Sequence, residues 1–219
     1  MALNKLKFNS LNVTPVAGKT VGFNSSANGL EATLSGGAMT FIKKLTASSS
    51  STLSFVNGSS DVVLDNTYKE YMFIFKDIHP STDGDFFQFN VSIDGGSNYN
   101  IAKTSTFFRA YHAEAGNSAA LGYETGSDLA QGTGGQRLTE ALIGNQNDES
   151  AAGYLRLFNP SSTTFVKHFM ASMSAYHNSD FHVQSHIAGY ANTTSAVNAI
   201  QFSTNNNIDA GTITLYGIN

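Results

Sequence analysis

The last nine residues of the chain, Gly211-Thr212-Ile213-Thr214-Leu215-Tyr216-Gly217-Ile218-Asn219, alternate apolar and small polar side chains without interruption. Ile213 and Leu215 share one face with Gly217, while Thr212, Thr214, Tyr216 and Ile218 share the other. A period of two marks a half-buried strand. A terminal segment frays unless something ties it down, so this pattern predicts a strand that is paired, packed and needed to close a β-sandwich.

The same alternation recurs from residue 41 onward. Residues 41–46 and 52–56 read as strands paired around a turn at 48–51. Residues 68–78 are long and strongly apolar, with Tyr71, Phe73 and Phe75 on one face, and predict a strand whose middle is buried on both sides. In residues 85–93, Phe87, Phe89, Val91 and Ile93 point inward, and Asp94-Gly95-Gly96-Ser97 supplies a hairpin-type turn before Tyr99. Residues 104–112 form a further strand. Residues 113–150 carry seven glycines and little periodicity, with a short helix expected near 127–131. Strands return at 153–158, 165–177, 181–191 and 196–204, separated by Asn159-Pro160-Ser161, Asn178-Ser179-Asp180 and Asn205-Asn206-Asn207. About ten short strands with polar turns predict an all-β fold, an antiparallel jelly-roll-like β-sandwich over residues 39–219. Residues 1–38 differ. Phe8-Asn9-Ser10-Leu11-Asn12 is echoed by Phe23-Asn24-Ser25-Ser26-Ala27-Asn28, and Ser35-Gly36-Gly37 closes the segment. It reads as an extended arm with two short strands and a glycine hinge. With too few large apolar residues for its own core, it either drapes over its own domain or docks on a partner, and docking is the preferred reading.

Composition narrows the function classes. Charged residues are 13 % of the chain, against about 25 % in ordinary domains. Asn, Ser and Thr make up roughly a third, above ordinary usage. A surface of neutral hydroxyls and amides suits packing in an assembly. The net charge is −4 and the only basic doublet is Lys43-Lys44, so the clustered cationic footprint that nucleic acid demands is missing. Cysteine is absent, so no disulfide framework is expected. The start of the chain has no apolar core of a signal peptide, and no stretch is apolar for long enough to insert in a membrane. Both point to synthesis in a cytoplasm.

No motif announces chemistry, and no cofactor is expected. His79, His112, His168, His177, His182 and His186 raise a metal hypothesis. His182 and His186, however, sit in a strand pattern, where four residues span about 13 Å and cannot share one ion. The Asp83-Gly84-Asp85 and Asp94-Gly95-Gly96 turns offer oxygen ligands for calcium, but Asp and Gly are also the default turn residues. Glu114, Glu124, Glu140 and Glu149 lie in or beside the irregular region without a distinguishable catalytic pair. A glycan platform is the strongest binding hypothesis. Its candidate residues are Tyr99, Phe108, Tyr111 and Tyr123, with Phe107 and Tyr190 nearby in the pattern. Aromatic faces pack on sugar rings while neighbouring amides bond the hydroxyls.

Residues 41–55, then Tyr68-Lys69-Glu70-Tyr71-Met72-Phe73-Ile74-Phe75 with Ile78-His79-Pro80, then Gly95-Gly96-Ser97-Asn98-Tyr99 and the closing 211–218 segment, resemble a recurrent domain of tailed-bacteriophage virion proteins, including phages of marine bacteria. The resemblance covers about residues 41–219. It implies a jelly roll on a virus particle, a homo-oligomer, commonly a trimer, and no catalytic residues. The chain lacks a long fibre shaft, which favours a head decoration or small tail protein attached to other virion proteins through the arm. The alternative is a tail-fibre protein that binds a host receptor or glycan. A depolymerase ranks third.

Overall fold

The computed structural model describes residues 20–23, 29–33, 38–140 and 142–219. The chain divides into two compact units, residues 1–38 and 39–219. In the first, β1 (Thr20–Phe23) and β2 (Leu30–Thr33) pair antiparallel, with Thr20 opposite Thr33 and Phe23 opposite Leu30. The Phe8–Asn12 segment, residues 24–28 and the Ser35-Gly36-Gly37 hinge lie outside the described residues.

The second unit is all-β, and among its described residues there is no helix. Its strands are β3 (Met39–Thr46), β4 (Leu53–Val56), β5 (Glu70–Pro80), β6 (Gln88–Ser92), β7 (Lys103–Ala113), β8 (Ala119–Tyr123), β9 (Gln136–Arg137), β10 (Ala151–Phe158), β11 (Lys167–His177), β12 (Phe181–Ala191), β13 (Ala199–Ser203) and β14 (Ile208–Ile218). They form an antiparallel sandwich of an eight-stranded sheet, in the order β3-β14-β5-β10-β11-β12-β7-β8, and a four-stranded sheet, in the order β4-β13-β6-β9. Alternation decides what lies between them. On the large sheet Tyr71, Phe73, Phe75, Leu155, Leu157, Phe169, Met173, Ile187, Ile213 and Leu215 point inward and are buried. Phe55, Phe89, Ile200 and Phe202 face them from the small sheet. Phe202 has ring centroids 5.2 Å from Phe73 and Phe75, 5.8 Å from Phe87, 6.2 Å from Phe55 and 6.4 Å from Phe89.

The C-terminal strand behaves as its alternation predicts. Ile213 and Leu215 are buried, and β14 lies inside the large sheet between β3 and β5. A bulge at its start is made by Gly211, whose φ is +119°; a Cβ there would lie 2.5 Å from the Asp77 carbonyl oxygen.

Several expectations are corrected. Strands 41–46 and 52–56 do not pair with each other. β3 joins β14 in the large sheet and β4 joins β13 in the small one, because the intervening turn passes between layers. The middle of β5 is buried on one face only, since Met72 and Ile74 point to the outer side of the large sheet and stay half-buried. Ile93 lies beyond β6, past the cover of the opposing sheet, and is 37 % exposed. The Asp94–Ser97 turn joins no hairpin, for β6 pairs with β13 and β9. Residues 127–131 form the end of a turn and a bend instead of a helix, with the Leu129 amide bonded to the Ser105 hydroxyl at 2.9 Å. Within the irregular stretch 113–150 the structure places two unexpected strands, β8, hydrogen-bonded to β7, and the two-residue β9, hydrogen-bonded to β6.

Replacing Phe202 by Ala empties the contact among five phenylalanines, and we expect it to cost about 3–5 kcal/mol. Urea unfolding checks this. A loss below about 1 kcal/mol, the size of an ordinary point substitution, would show that the two sheets are held together elsewhere.

Candidate functional site

The outer face of the large sheet carries the site. Antiparallel register aligns Tyr154 on β10 with Ser172 on β11, Ser172 with His186 on β12, His186 with Phe108 on β7, and Phe108 with Tyr123 on β8. A second row beside it aligns Arg156, Met170, Ala188 and Thr106. These residues fall at alternate positions whose neighbours point to the core, so the buried pattern itself forces them outward. Small side chains in the two rows (Ser172, Ala188, Thr106) leave an open groove of about 180 Å³, bordered by Tyr154, Arg156, Met170, His186 and Phe108. Tyr154, Phe108 and Met170 are 40 %, 46 % and 51 % exposed, a high share of apolar surface for one sheet face.

Both ends of the groove are held in place. Arg156 is bound by Glu70 from the neighbouring strand β5, through Nε to Oε1 and through Nη2 to Oε2 at 2.8 Å, and it lies 5.3 Å from the Phe158 ring centroid. The hydrogen bonds to Glu70 raise its already high pKa, so it is a fixed cation with spent charge. At the other end Phe108 and Tyr123 meet edge to face at 5.3 Å. The Tyr123 hydroxyl donates to Asp128, and this hydrogen bond raises the phenol's pKa.

The structure separates the four sequence candidates. Phe108 and Tyr123 stand together on the outer face. Tyr111 points to the opposite face of β7, against Phe181 at 5.6 Å and 5.3 Å from the Arg109 guanidinium. Tyr99 belongs to the Asp94 turn, and its carbonyl accepts from the Asn90 amide at 2.6 Å. Phe107 is buried in the core. Tyr190 is on the outer face, 6.1 Å from His168. Tyr154 and Met170 belong to the groove but were not singled out from the sequence, and His186 was weighed there only as a metal ligand. The signal was there in their alternation with buried neighbours, but only strand order shows that they adjoin.

Around Tyr111 lies a second depression of about 270 Å³, lined by Arg109, Tyr111, Ser118, His177, Ser179 and Phe181. Arg109 holds two carboxylates here, Glu124 at 3.2 Å and Glu140 in direct contact. Two of the four glutamates that showed no pairing in sequence, Glu124 and Glu140, are thus drawn to one cation. Burial lowers the pKa of His177, whose Nδ1 accepts the Ser179 amide at 3.1 Å.

The acidic turns are occupied by the chain's own donors. Asp94 accepts from the Ser92 hydroxyl at 2.6 Å, the Asn98 amide at 2.9 Å and the Asn98 side chain at 2.7 Å. These bonds, that from Ser92 first, lower its pKa to about 2. Buried Asp85 accepts from the Asn205 and Asn206 backbone, each at 2.9 Å. His182 bonds the Ser174 hydroxyl at 3.0 Å and His79 the Gln146 carbonyl at 3.1 Å. Among the described residues no group of three His, Asp or Glu side chains is placed to hold one metal ion.

No protein-family model matches the chain, and neither a curated protein nor a solved structure matches it.

The depressed pKa of Asp94 sets a pH window. The carboxylate is favoured in the folded state, so its stabilisation is complete above the unfolded value near 3.9 and is lost as the pH falls through about 2. We expect Asp94→Asn to melt below the parent at neutral pH and the gap to narrow from pH 4 to pH 2, as followed by thermal melting. A gap independent of pH would deny the carboxylate that role.

Proposed function

We propose that this chain is a non-enzymatic, surface-exposed component of a tailed-phage particle whose β-sandwich contacts a host surface saccharide through the outer face of the eight-stranded sheet. The aligned row Tyr154–Ser172–His186–Phe108–Tyr123 carries the saccharide reading. Sugar rings present C–H faces that pack on aromatic side chains, and hydroxyls that bond to neutral polar groups such as serine and imidazole. The groove offers both, with aromatic side chains toward each end. Its volume of about 180 Å³ is smaller than the 300–1,000 Å³ typical of enclosed ligand sites. It is therefore suited to one or two sugar units held weakly and repeatedly on a multivalent particle. The phage context rests on the sequence resemblance, and attachment through residues 1–38 is supported by their separation as a distinct unit. A head decoration and a small tail protein both accommodate this arrangement. Among the described residues no helix is long and apolar enough to cross a membrane.

The test is a binding screen of the full chain against bacterial surface polysaccharides, repeated with Tyr154→Ala and Phe108→Ala. Each should weaken binding about 5- to 30-fold, as expected when one aromatic contact worth about 1–2 kcal/mol is removed. Binding that survives both substitutions would move the site elsewhere, and absence of binding to any host polysaccharide would sink the saccharide reading.

Attachment is tested separately. A protein lacking residues 1–38 should retain a cooperative melt yet fail to join particles. Incorporation of the truncated form would show that the sandwich itself docks.

A further inference from the structure

The last strand of the large sheet, β8, is an open edge. Its pairing with β7 fixes which backbone groups remain available. The Ala113 amide donates to the Ser118 carbonyl at 2.8 Å, and the Glu124 amide donates to the Phe107 carbonyl at 2.9 Å. Antiparallel ladders alternate bonded and non-bonded pairs. Ser118, Ala120, Gly122 and Glu124 therefore direct their N–H and C=O groups toward β7. Ala119, Leu121 and Tyr123 direct theirs outward, where among the described residues no hydrogen bond meets them.

Proteins blunt such edges with lysine, proline, bulges or inward-pointing charge. Here none of these devices is present. From Gly116 to Tyr123 the sequence has no charged residue and no proline, and the β7–β8 register runs without a bulge. All five residues of β8 are exposed, and Leu121 is 80 % exposed. The opposite edge, β3, carries Lys43 and Lys44, so the two ends of the same sheet are treated differently.

We propose that β8 pairs antiparallel with β8 of a second copy of this chain, about a two-fold axis through Leu121. A second copy suits this edge because the stretch is uncharged and without a bulge, so no like charges oppose self-pairing and a register centred on Leu121 matches every outward group. Leu121 would exchange both bonds with its own copy, while Ala119 and Tyr123 would exchange theirs with Tyr123 and Ala119 of the partner subunit, giving about six new backbone bonds. Small Ala119 facing bulky Tyr123 avoids a clash in either direction. Bonded antiparallel partners keep their side chains on one face, so the two outer-face grooves would open on the same side of a continuous sheet. The proposal keeps the homo-oligomer expected from the phage resemblance but gives it two-fold rather than threefold order. It does not depend on what the groove binds.

Sedimentation of the full chain at its highest soluble concentration should give twice the 23.3 kDa chain mass. Leu121→Lys sets two ammonium groups opposite each other across the axis. It should yield a monomer that still unfolds cooperatively, since in the single chain that side chain lies in solvent, with a melting temperature no longer dependent on protein concentration. Because the chain has no cysteine, position can be read chemically. In Leu121→Cys the two Cα atoms would sit about 5.5 Å apart, within disulfide range, and mild oxidation should trap a covalent dimer. In Tyr123→Cys they would sit about 14 Å apart, and trapping should be at least ten-fold slower. A monomeric parent, a trimer, a Leu121→Lys variant that stays dimeric, or equal trapping at both positions would each overturn the proposal.

Discussion

Phe202 is the point on which the sandwich depends. It comes from a five-residue strand of the small sheet, yet its ring touches phenylalanines on both sheets. The small sheet has little else to hold it. β9 is two residues long and β4 is four, too short for strand pairing alone to make a stable layer. The interlocked rings supply the missing area, and the edge-to-face contacts of Phe202 with Phe55 and Phe75 add a directional term that aliphatic packing lacks. With the inner face pinned in this way, strand alternation leaves no freedom about what the outer face presents. Slipping one strand by a residue would send its core side chains outward and its groove side chains inward.

This coupling explains how far the sequence could be read. Alternation in β7, β11, β12 and β14 was legible because each strand has one dry and one wet face, whereas β5 read as buried on both because Met72 and Ile74 put apolar side chains on its wet face. Strand order was not, since pairing depends on which hydrophobic faces meet after collapse. The β3–β4 pairing failed for that reason. A Ser-rich turn between two apolar runs serves a hairpin and a crossing between layers equally well. Phe108 and Tyr123 were found by residue type and proved adjacent. Tyr111 failed to join them because three residues along a strand reverse the face. Ala119 to Tyr123 escaped notice because Ala-Ala-Leu-Gly-Tyr has small residues where a strand usually shows large ones, and only its pairing with β7 defines it.

Two lysines show the limit of pattern reading from another side. Lys103 and Lys167 begin β7 and β11 on the core-facing side, both opposite Ala191. Neither has a carboxylate partner among the described residues. Lys103 donates to the Asn90 side chain at 2.6 Å and the Ile101 carbonyl at 2.9 Å, and Lys167 to the carbonyls of Phe165 at 2.6 Å and Thr193 at 3.1 Å. Burial lowers both pKa values, that of Lys103 to about 8. Each ammonium gathers loop oxygens much as a bound cation would. The loops at this end of the sandwich are thus tied by side chains that composition alone would assign to the surface.

The place of β14 between β3 and β5 also governs when the sheet can form. Residues 39–46 find one neighbour in residues 212–218, at nearly the opposite end of the body. Until those residues have been made, β3 lacks its partner and β5 exposes one side of its ladder. Contacts so distant in sequence make folding slow. The nascent body must therefore wait with Tyr71, Phe73 and Phe75 incompletely covered, and this interval, rather than the finished fold, is when the chain is most open to aggregation.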